Sequence, residues 1–463
     1  MQNYGLIREG ASNAVLKPIP LPQLQDDYVL VRTVAVALNP TDWTTLDASG
    51  DNGTLVGCDY AGIVEEVGRA VTRDFKKGDR IAGFAHGGND ANPENGAFAR
   101  VIAVKADLQV RVPEAVSFEA ASTVGVGFGT AGYALYKVLG LPFPDEVLDS
   151  HINDDNKPTI LIYGGSTATG TIAIQLAKLS GWNVITTCSP KHFDLVKDRG
   201  ADMVFDYRAP NVGQKIYEAS HGSITKVLDT VSTAGTAAIC AAAFASQLDS
   251  RRTEDLIYCN LLNIDCPRDD VKSVFFLGYS LSGEFYIFET EQFPAQPEDL
   301  QFGKKWMPMA ENLWAEGKVK NHPEKIGERG LLGCIGGVNR AYAKSASYSV
   351  VKGSRPFDLA GERNEKIHSA QRRLVARAYS MDSSMKLEPQ INELVNLLLR
   401  RLDVIASTKD TIDFGYWLQL FAFDVIGAVS FSKPYGFISS GSDSLGPDEK
   451  FFARLARSLH SAA

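Results

Sequence analysis

Two spacings of apolar residues divide the first 340 residues of this chain. Up to about residue 110 the apolar positions come in short runs with period-two patches. Residues 28–38 read as one strand, broken by Asn39 and Pro40. Further short runs follow at 57–68, after the Gly78-Asp79 turn, and from Gly96, so a β-rich lobe is expected. Residues 114–140 are rich in alanine and glycine and read as helical, while the polar, proline-flanked stretch 142–158 reads as a surface loop. From Thr159 the pattern becomes strand, glycine turn, helix, strand, helix, strand, ending at Tyr207. Thr159 to Tyr163 is β-branched and apolar, and Gly164 and Gly165 break it. Ile172, Ile174, Leu176, Ala177 and Leu179 recur with helical spacing until Gly181, and a second strand starts at Asn183. A βαβ unit of this kind aims backbone N–H groups of its first turn at a phosphate. An amphipathic helix is expected over 306–317, stopped by Gly317.

Composition narrows the partners. The 463 residues are 44% hydrophobic and 22% charged, with a formal net charge of -8 and no basic stripe, which argues against nucleic acid. The N-terminus has no apolar core of a signal peptide, and the apolar run 421–431 contains Asp424 and is too short to span a bilayer. Six cysteines without Cys-x-x-Cys spacing read as reduced thiols of a cytoplasmic protein.

The βαβ unit also carries candidate chemistry. Ser166, Thr167 and Thr169, on either side of Ala168, can offer hydroxyls to a diphosphate. After the second strand, NAD sites place an acid for the ribose hydroxyls. Here stand Ser189, Pro190, Lys191 and His192, and a serine with a lysine suits a 2′-phosphate, so NADPH is expected. Tyr207 can stack on or bond to the adenosine end.

The segments GCDYAGIVEEVG (57–68), KKGDRIAG (76–83) and NGAFARV (95–101), ahead of a glycine-turn βαβ unit, resemble the medium-chain dehydrogenase/reductase superfamily over roughly residues 1–340. This implies a GroES-like β-rich lobe plus a Rossmann parallel-sheet domain, an α/β architecture with the active site in the cleft. Zinc-dependent members supply Cys and a His-Glu pair where this chain has 39–42 without Cys and Gly57-Cys58-Asp59 without His, so no zinc is expected. NPTDW (39–43), STATG (166–170), SPKH (189–192) and FDYRAP (205–210) resemble, more narrowly, the trans-acting enoyl reductases of fungal polyketide synthases, the lovastatin type.

That resemblance implies reduction by NADPH of an α,β-unsaturated thioester carried on a partner, a highly reducing polyketide synthase or a synthase–peptide synthetase hybrid. It implies a monomer, with no nucleic-acid or membrane partner. The implied cofactor contacts are Thr41, Asp42, Trp43, Thr44, Ser166, Thr167, Ala168, Thr169, Ser189, Pro190, Lys191, His192, Tyr207, Leu261 and Leu262. The implied substrate wall is Ala131, Gly132, Tyr133, Ala134, Leu135, Tyr136, Lys137 and Val138, with Phe275, Phe276, Leu277, Gly278 and Tyr279. Family members commonly carry a lysine where this chain has Thr44, which leaves Thr44 as the catalytic candidate. Two alternatives stay open: a zinc-free quinone or enoyl-CoA reductase, and a non-catalytic NADPH-binding scaffold docking on a synthase.

The expected domains are a GroES-like lobe at 1–125, a Rossmann domain at 126–290, and a return to the first lobe at 291–340 in which the family's final strand is lost. From 341 to 463 a mainly α-helical tail begins, with apolar residues at helical spacing over 386–402. It resembles part of a fungal cytochrome P450, in which His368 and Arg372 would match residues near the haem propionates. A P450 binds iron through a Cys thiolate, and none follows Cys334, so no haem is expected and the tail reads as a gene-fusion or gene-model artefact, or as a decayed neighbour from a biosynthetic cluster.

Overall fold

In the computed structural model, residues 2–10, 13–47, 53–147, 157–246, 255–327, 330–338, 388–408, 414–431, 434 and 436–441 are described. Two units divide the chain, 1–340 and 341–463. In the first, β1 (Asn3–Arg8) and β2 (Ala14–Ile19) form an antiparallel hairpin. The strands β3 (Tyr28–Ala37), β4 (Asp59–Val67), β5 (Arg80–Phe84), β6 (Val101–Lys105) and β7 (Val110–Arg111) make a five-stranded antiparallel sheet in the order β6-β3-β4-β5-β7. Alternation sends Val29, Val31, Val64, Ile81 and Ile102 into one core with Leu6 and Phe98. The break at Asn39 is a helix, Pro40–Asp47, where a turn is expected from the sequence. Proline fits the first helical position because no N–H is needed there.

The second sheet is parallel. It contains β8 (Thr159–Tyr163), β9 (Asn183–Cys188), β10 (Met203–Asp206), β11 (Lys226–Asp229), β12 (Leu256–Asn260) and β13 (Val271–Phe275). Their order is β10-β9-β8-β11-β12-β13, so the chain reverses its sense of winding between β8 and β11. Both faces are covered, which is why β8 is buried from Ile160 to Tyr163. Ile160 and Ile162 enter one core with Ile172 and Val184, and Leu161 and Tyr163 enter another with Ile185 and Val227. The helix after β8 spans Ala168–Leu179, with Gly181 at φ +81 just past its end.

The Ala/Gly-rich region is not one helix. It comprises Phe118–Ala121, then Gly125–Gly132, then a wider π-helical turn over Tyr133–Val138. The hairpin β14 (Tyr286–Phe288) and β15 (Glu291–Phe293) precedes a helix Pro297–Ala315, which starts earlier than the sequence pattern predicts. Its first turn is polar, with Glu298 and Asp299 at the positive end of the helix dipole, and therefore lacks the apolar stripe. Among the described residues no strand follows β15. Instead a helix, Gly330–Val338, brings Leu331, Cys334 and Ile335 to the core of the first sheet.

In the second unit, helices Glu388–Thr408, Phe414–Phe431 and Phe437–Ser440 share a small core of Leu394, Leu398, Ala428 and Ile438. The buried Asp424 carboxylate accepts the N–H groups of Gly436, Phe437 and Ile438, which holds the last of these helices. His368 and Arg372 lie outside the described residues, as do 148–156 of the expected surface loop.

Candidate functional site

Apart from residues 41–44, the residues expected to hold a cofactor stand at the carboxyl ends of the parallel strands. β8 leads into Gly164, at φ +81, a conformation that favours glycine. A Cβ on Gly165 would sit 2.1 Å from the Thr186 hydroxyl, so the turn closes only around glycine. Thr167 caps the following helix, its hydroxyl accepting the Gly170 N–H at 2.9 Å, and Ser166, Ala168 and Thr169 are half-buried around that N-terminus. Ser189, Pro190, Lys191 and His192 follow β9, with Lys191 and Pro190 exposed. Tyr207 follows β10 and is 43% exposed, with the Arg208 guanidinium over its ring. Leu261 and Leu262 follow β12, and the Leu261 N–H donates to Ser232 Oγ at 2.8 Å. Ligands of doubly wound sheets lie in this position, outside the strand ends at the reversal of winding. The glycine cradle at the helix N-terminus, with the half-buried Ser166 and Thr169 beside it, fits a dinucleotide.

The four residues 41–44 lie on the helix Pro40–Asp47. Thr41 Oγ1 is 2.9 Å from the Tyr279 hydroxyl, which in turn is 3.0 Å from Cys58 Sγ. This links a helix after β3 to the turn after β13. Asp42 and Asp59 are both fully buried. Asp42 Oδ2 accepts the Asn39 N–H at 2.6 Å, and Asp59 accepts Asn39 Nδ2 at 2.8 Å and the Val126 N–H at 2.7 Å. Loss of water pushes each carboxyl up to about 7, against the pull of these donors. Burial also pushes the Cys58 thiol and the Tyr279 phenol well up, so both stay protonated. Trp43 is half-buried. The Thr44 hydroxyl donates to the Thr41 carbonyl at 3.1 Å, a bond within its own helix. Among the described residues no group of three or more His, Cys, Asp or Glu side chains converges as a metal site would need.

The expected substrate wall divides in two. Ala131, Gly132, Ala134 and Leu135 are buried in the core. A Cβ on Gly132 would meet the Trp306 indole at 2.1 Å, and that indole N–H donates to the Phe128 carbonyl at 2.8 Å. Tyr133 stacks on Phe276 with centroids 4.6 Å apart, and its hydroxyl donates to Asp299 at 3.0 Å. Lys137 pairs with the same buried Asp299, and Tyr136 packs on Phe143 and Trp306. Val138 is half-buried against the same core. Phe275 ends β13, Leu277 packs on the core, and Gly278 opens the short turn that carries Tyr279.

One site residue goes unread in the sequence. His86, in the loop after β5, stacks face to face on Tyr279 with ring centroids 3.7 Å apart and planes at 8°. Tyr286 meets its edge at 5.2 Å and Phe288 lies at 6.2 Å. Neither ring nitrogen has a hydrogen-bond partner, although the residue is only 5% exposed, and burial lowers it to about 3. The readable signal is the flanking Gly87-Gly88. A Cβ on Gly87 would lie 2.3 Å from Gly57 N, so this loop presses directly on the turn before Cys58. A separate cavity of about 870 Å³, lined by Val34, Val36, Arg100, His322 and Leu331 among others, contains none of these residues.

Comparison with known proteins agrees with this geometry. The alcohol dehydrogenase GroES-like domain family matches residues 25–114. Over 339 residues the chain is 43% identical to the trans-enoyl reductase resD of Aspergillus sclerotiorum, covering 71% of this chain and 92% of the relative. It is 47% identical over 286 residues to the trans-enoyl reductase TOXD of Cochliobolus carbonum, covering 62% of this chain and 92% of the relative. The fold matches the crystal structure of CurK enoyl reductase with a TM-score of 0.54 at 18% identity, over 70% of this chain and 92% of that one. It matches a putative zinc-dependent alcohol dehydrogenase from Rhizobium etli at 0.59 and 21%, over 73% and 94%. The parallel sheet with its glycine cradle, the GroES-like lobe and relatives aligned over nine-tenths of their length lead to one assignment: the chain belongs to the trans-enoyl reductases, oxidoreductases of the medium-chain dehydrogenase/reductase fold.

Proposed function

We propose that this protein reduces the α,β-double bond of an acyl thioester held on the carrier domain of a partner polyketide synthase, using NADPH. The observation that carries the reading is the hydrogen-bonded joint Thr41–Tyr279–Cys58, beside the strand ends that suit a dinucleotide. Ser166, Thr167, Thr169 and the N-terminus of the helix Ala168–Leu179 hold the diphosphate, and Ser189 and Lys191 the 2′-phosphate. When bound, NADPH supplies a hydride. The protein's part is to orient the enoyl group, exclude water, and stabilise the negative charge that grows on the thioester oxygen. The stacked Tyr133 and Phe276, and separately the Tyr279 ring, are the aromatic groups assigned in this reading to the apolar acyl chain.

In this reading residues 1–125 and 291–340 form the catalytic lobe and 126–290 the cofactor lobe. The partner is a highly reducing synthase or a synthase–peptide synthetase hybrid, and the protein acts as a cytoplasmic monomer without zinc or haem. Among the described residues no helix is long and apolar enough to cross a membrane. Residues 341–463 are read as a P450-like remnant. The resemblance and the amphipathic helix Glu388–Thr408 support this, and a carbon monoxide difference spectrum without a Soret band tests it.

The direct test offers crotonyl thioester on a carrier domain or on coenzyme A, with NADPH or NADH. Preferential turnover of the carrier-bound form with NADPH is expected. Preference for the coenzyme A form or a quinone would favour a free-substrate reductase. Binding of NADPH without any turnover would favour the scaffold.

A further inference from the structure

We infer that the His86 imidazole donates a hydrogen bond to the carbonyl oxygen of the acyl-thioester substrate. The inference rests on the enoyl-reductase reading above and adds the group that meets the developing oxyanion.

Three observations carry it. First, both ring nitrogens of His86 lack partners although the side chain is 5% exposed. Buried polar groups are normally hydrogen-bonded, so an unpaired pair of ring nitrogens calls for an explanation. Second, the ring is held in place rather than loosely packed. Its face lies on Tyr279 at 3.7 Å, its edge meets Tyr286, the backbone N–H of His86 donates to Asn95 Oδ1 at 3.2 Å, and the preceding Ala85 N–H donates to the Cys58 carbonyl at 2.8 Å. Asn89 Oδ1 ties the same loop to β14 by accepting the Ile287 N–H at 3.1 Å. Third, the stacking partner is the tyrosine that joins Thr41 to Cys58, so the imidazole sits directly against the joint on which the proposed function rests.

The Thr44 hydroxyl, in contrast, already donates to the Thr41 carbonyl at 3.1 Å. A neutral imidazole has one N–H to give and one nitrogen to receive. Burial keeps His86 neutral, so it polarises a carbonyl without adding charge and retains its proton throughout. The donor is prealigned by the stack, which is what makes such a group effective.

Two variants of the full chain separate hydrogen bonding from packing. His86→Phe keeps a planar ring on Tyr279 but has no donor, and His86→Gln restores an N–H. With NADPH and crotonyl-pantetheine, His86→Phe is expected to lose roughly 100-fold in kcat, the usual cost of one oxyanion donor, with NADPH affinity unchanged within about twofold. His86→Gln should recover about tenfold of that loss, a rescue that a purely structural role would not give. Turnover of His86→Phe within about threefold of the unaltered protein would overturn the inference while leaving the enoyl-reductase reading intact. Should His86→Phe not fold, the carbonyl stretch of isotope-labelled butyryl-pantetheine bound to the unaltered protein decides. A shift to lower frequency that His86→Gln only partly reproduces supports the bond, and an unshifted stretch overturns it. If the unaltered protein binds the thioester with a shifted carbonyl yet does not reduce it, the reductase reading fails and the His86 contact stands.

Discussion

Lys191 is exposed beside Ser189 at the end of β9, in a place where an acid would mark a preference for NAD. If the pair binds a 2′-phosphate, Lys191→Ala removes one charge-assisted bond, worth about 1.5–3 kcal/mol. The KM for NADPH should then rise roughly tenfold or more, with the KM for NADH unchanged, and steady-state kinetics with both cofactors checks this. Asp42 makes a different kind of prediction. Its carboxyl is buried and raised to about 7, above the ordinary carboxylate value that it regains on unfolding. Between those two values the native state binds more protons than the unfolded state, so the contribution of Asp42 to stability falls as pH rises from about 4 to about 7. Asp42→Asn removes the charge without changing the shape. Urea midpoints across that range should therefore drop less steeply in the variant. An unchanged slope would mean that Asp42 is ionised in the native protein at all these pH values.

At the scale of elements, the glycines at close contacts matter more than the apolar stripes. The Trp306 indole fills the place where a Cβ on Gly132 would be, so Gly132→Ala forces either the π-helical turn or the helix Pro297–Ala315 to move. Overpacking of this kind costs about 1–3 kcal/mol, and a chemical-denaturation midpoint should fall accordingly. Because the moved turn carries Tyr133, turnover of the thioester should fall as well, whereas a change at a glycine with open space and ordinary backbone, such as Gly327→Ala, should affect neither.

The βαβ unit was readable almost to the residue. The β8 run is bounded by Gly164, and the helix after it keeps strict apolar spacing up to Gly181. The early start of the helix Pro297–Ala315 was not readable, since its first turn carries charges rather than an apolar stripe. Nor was the helix at Pro40, where Asn-Pro reads as a break until the proline is seen to occupy the first helical position. His86 was unreadable for a third reason. Its environment is made by Tyr279 and Tyr286, which lie about two hundred residues further along the chain and come near it only through the fold.

For the molecule as a whole, the aligned length of the relative resD, 339 residues, agrees with the length of the first unit, 1–340. A relative covered to 92% of its length matches 71% of this chain, and the unit 1–340 holds every proposed site residue. A chain ending after residue 340 should therefore keep NADPH-dependent turnover within about twofold of the full protein. A large loss would show that 341–463 contribute to the site. The P450-like reading of those residues makes no demand on the reductase.

The central claim is that this joint of two lobes reduces a carrier-bound enoyl thioester with NADPH. Its most direct test is mass analysis of the carrier-bound acyl group after incubation with the protein and NADPH. The expected result is a gain of one hydrogen molecule per acyl chain, matched one for one by NADPH consumed. A carrier whose acyl group stays unsaturated while the protein holds NADPH would contradict it.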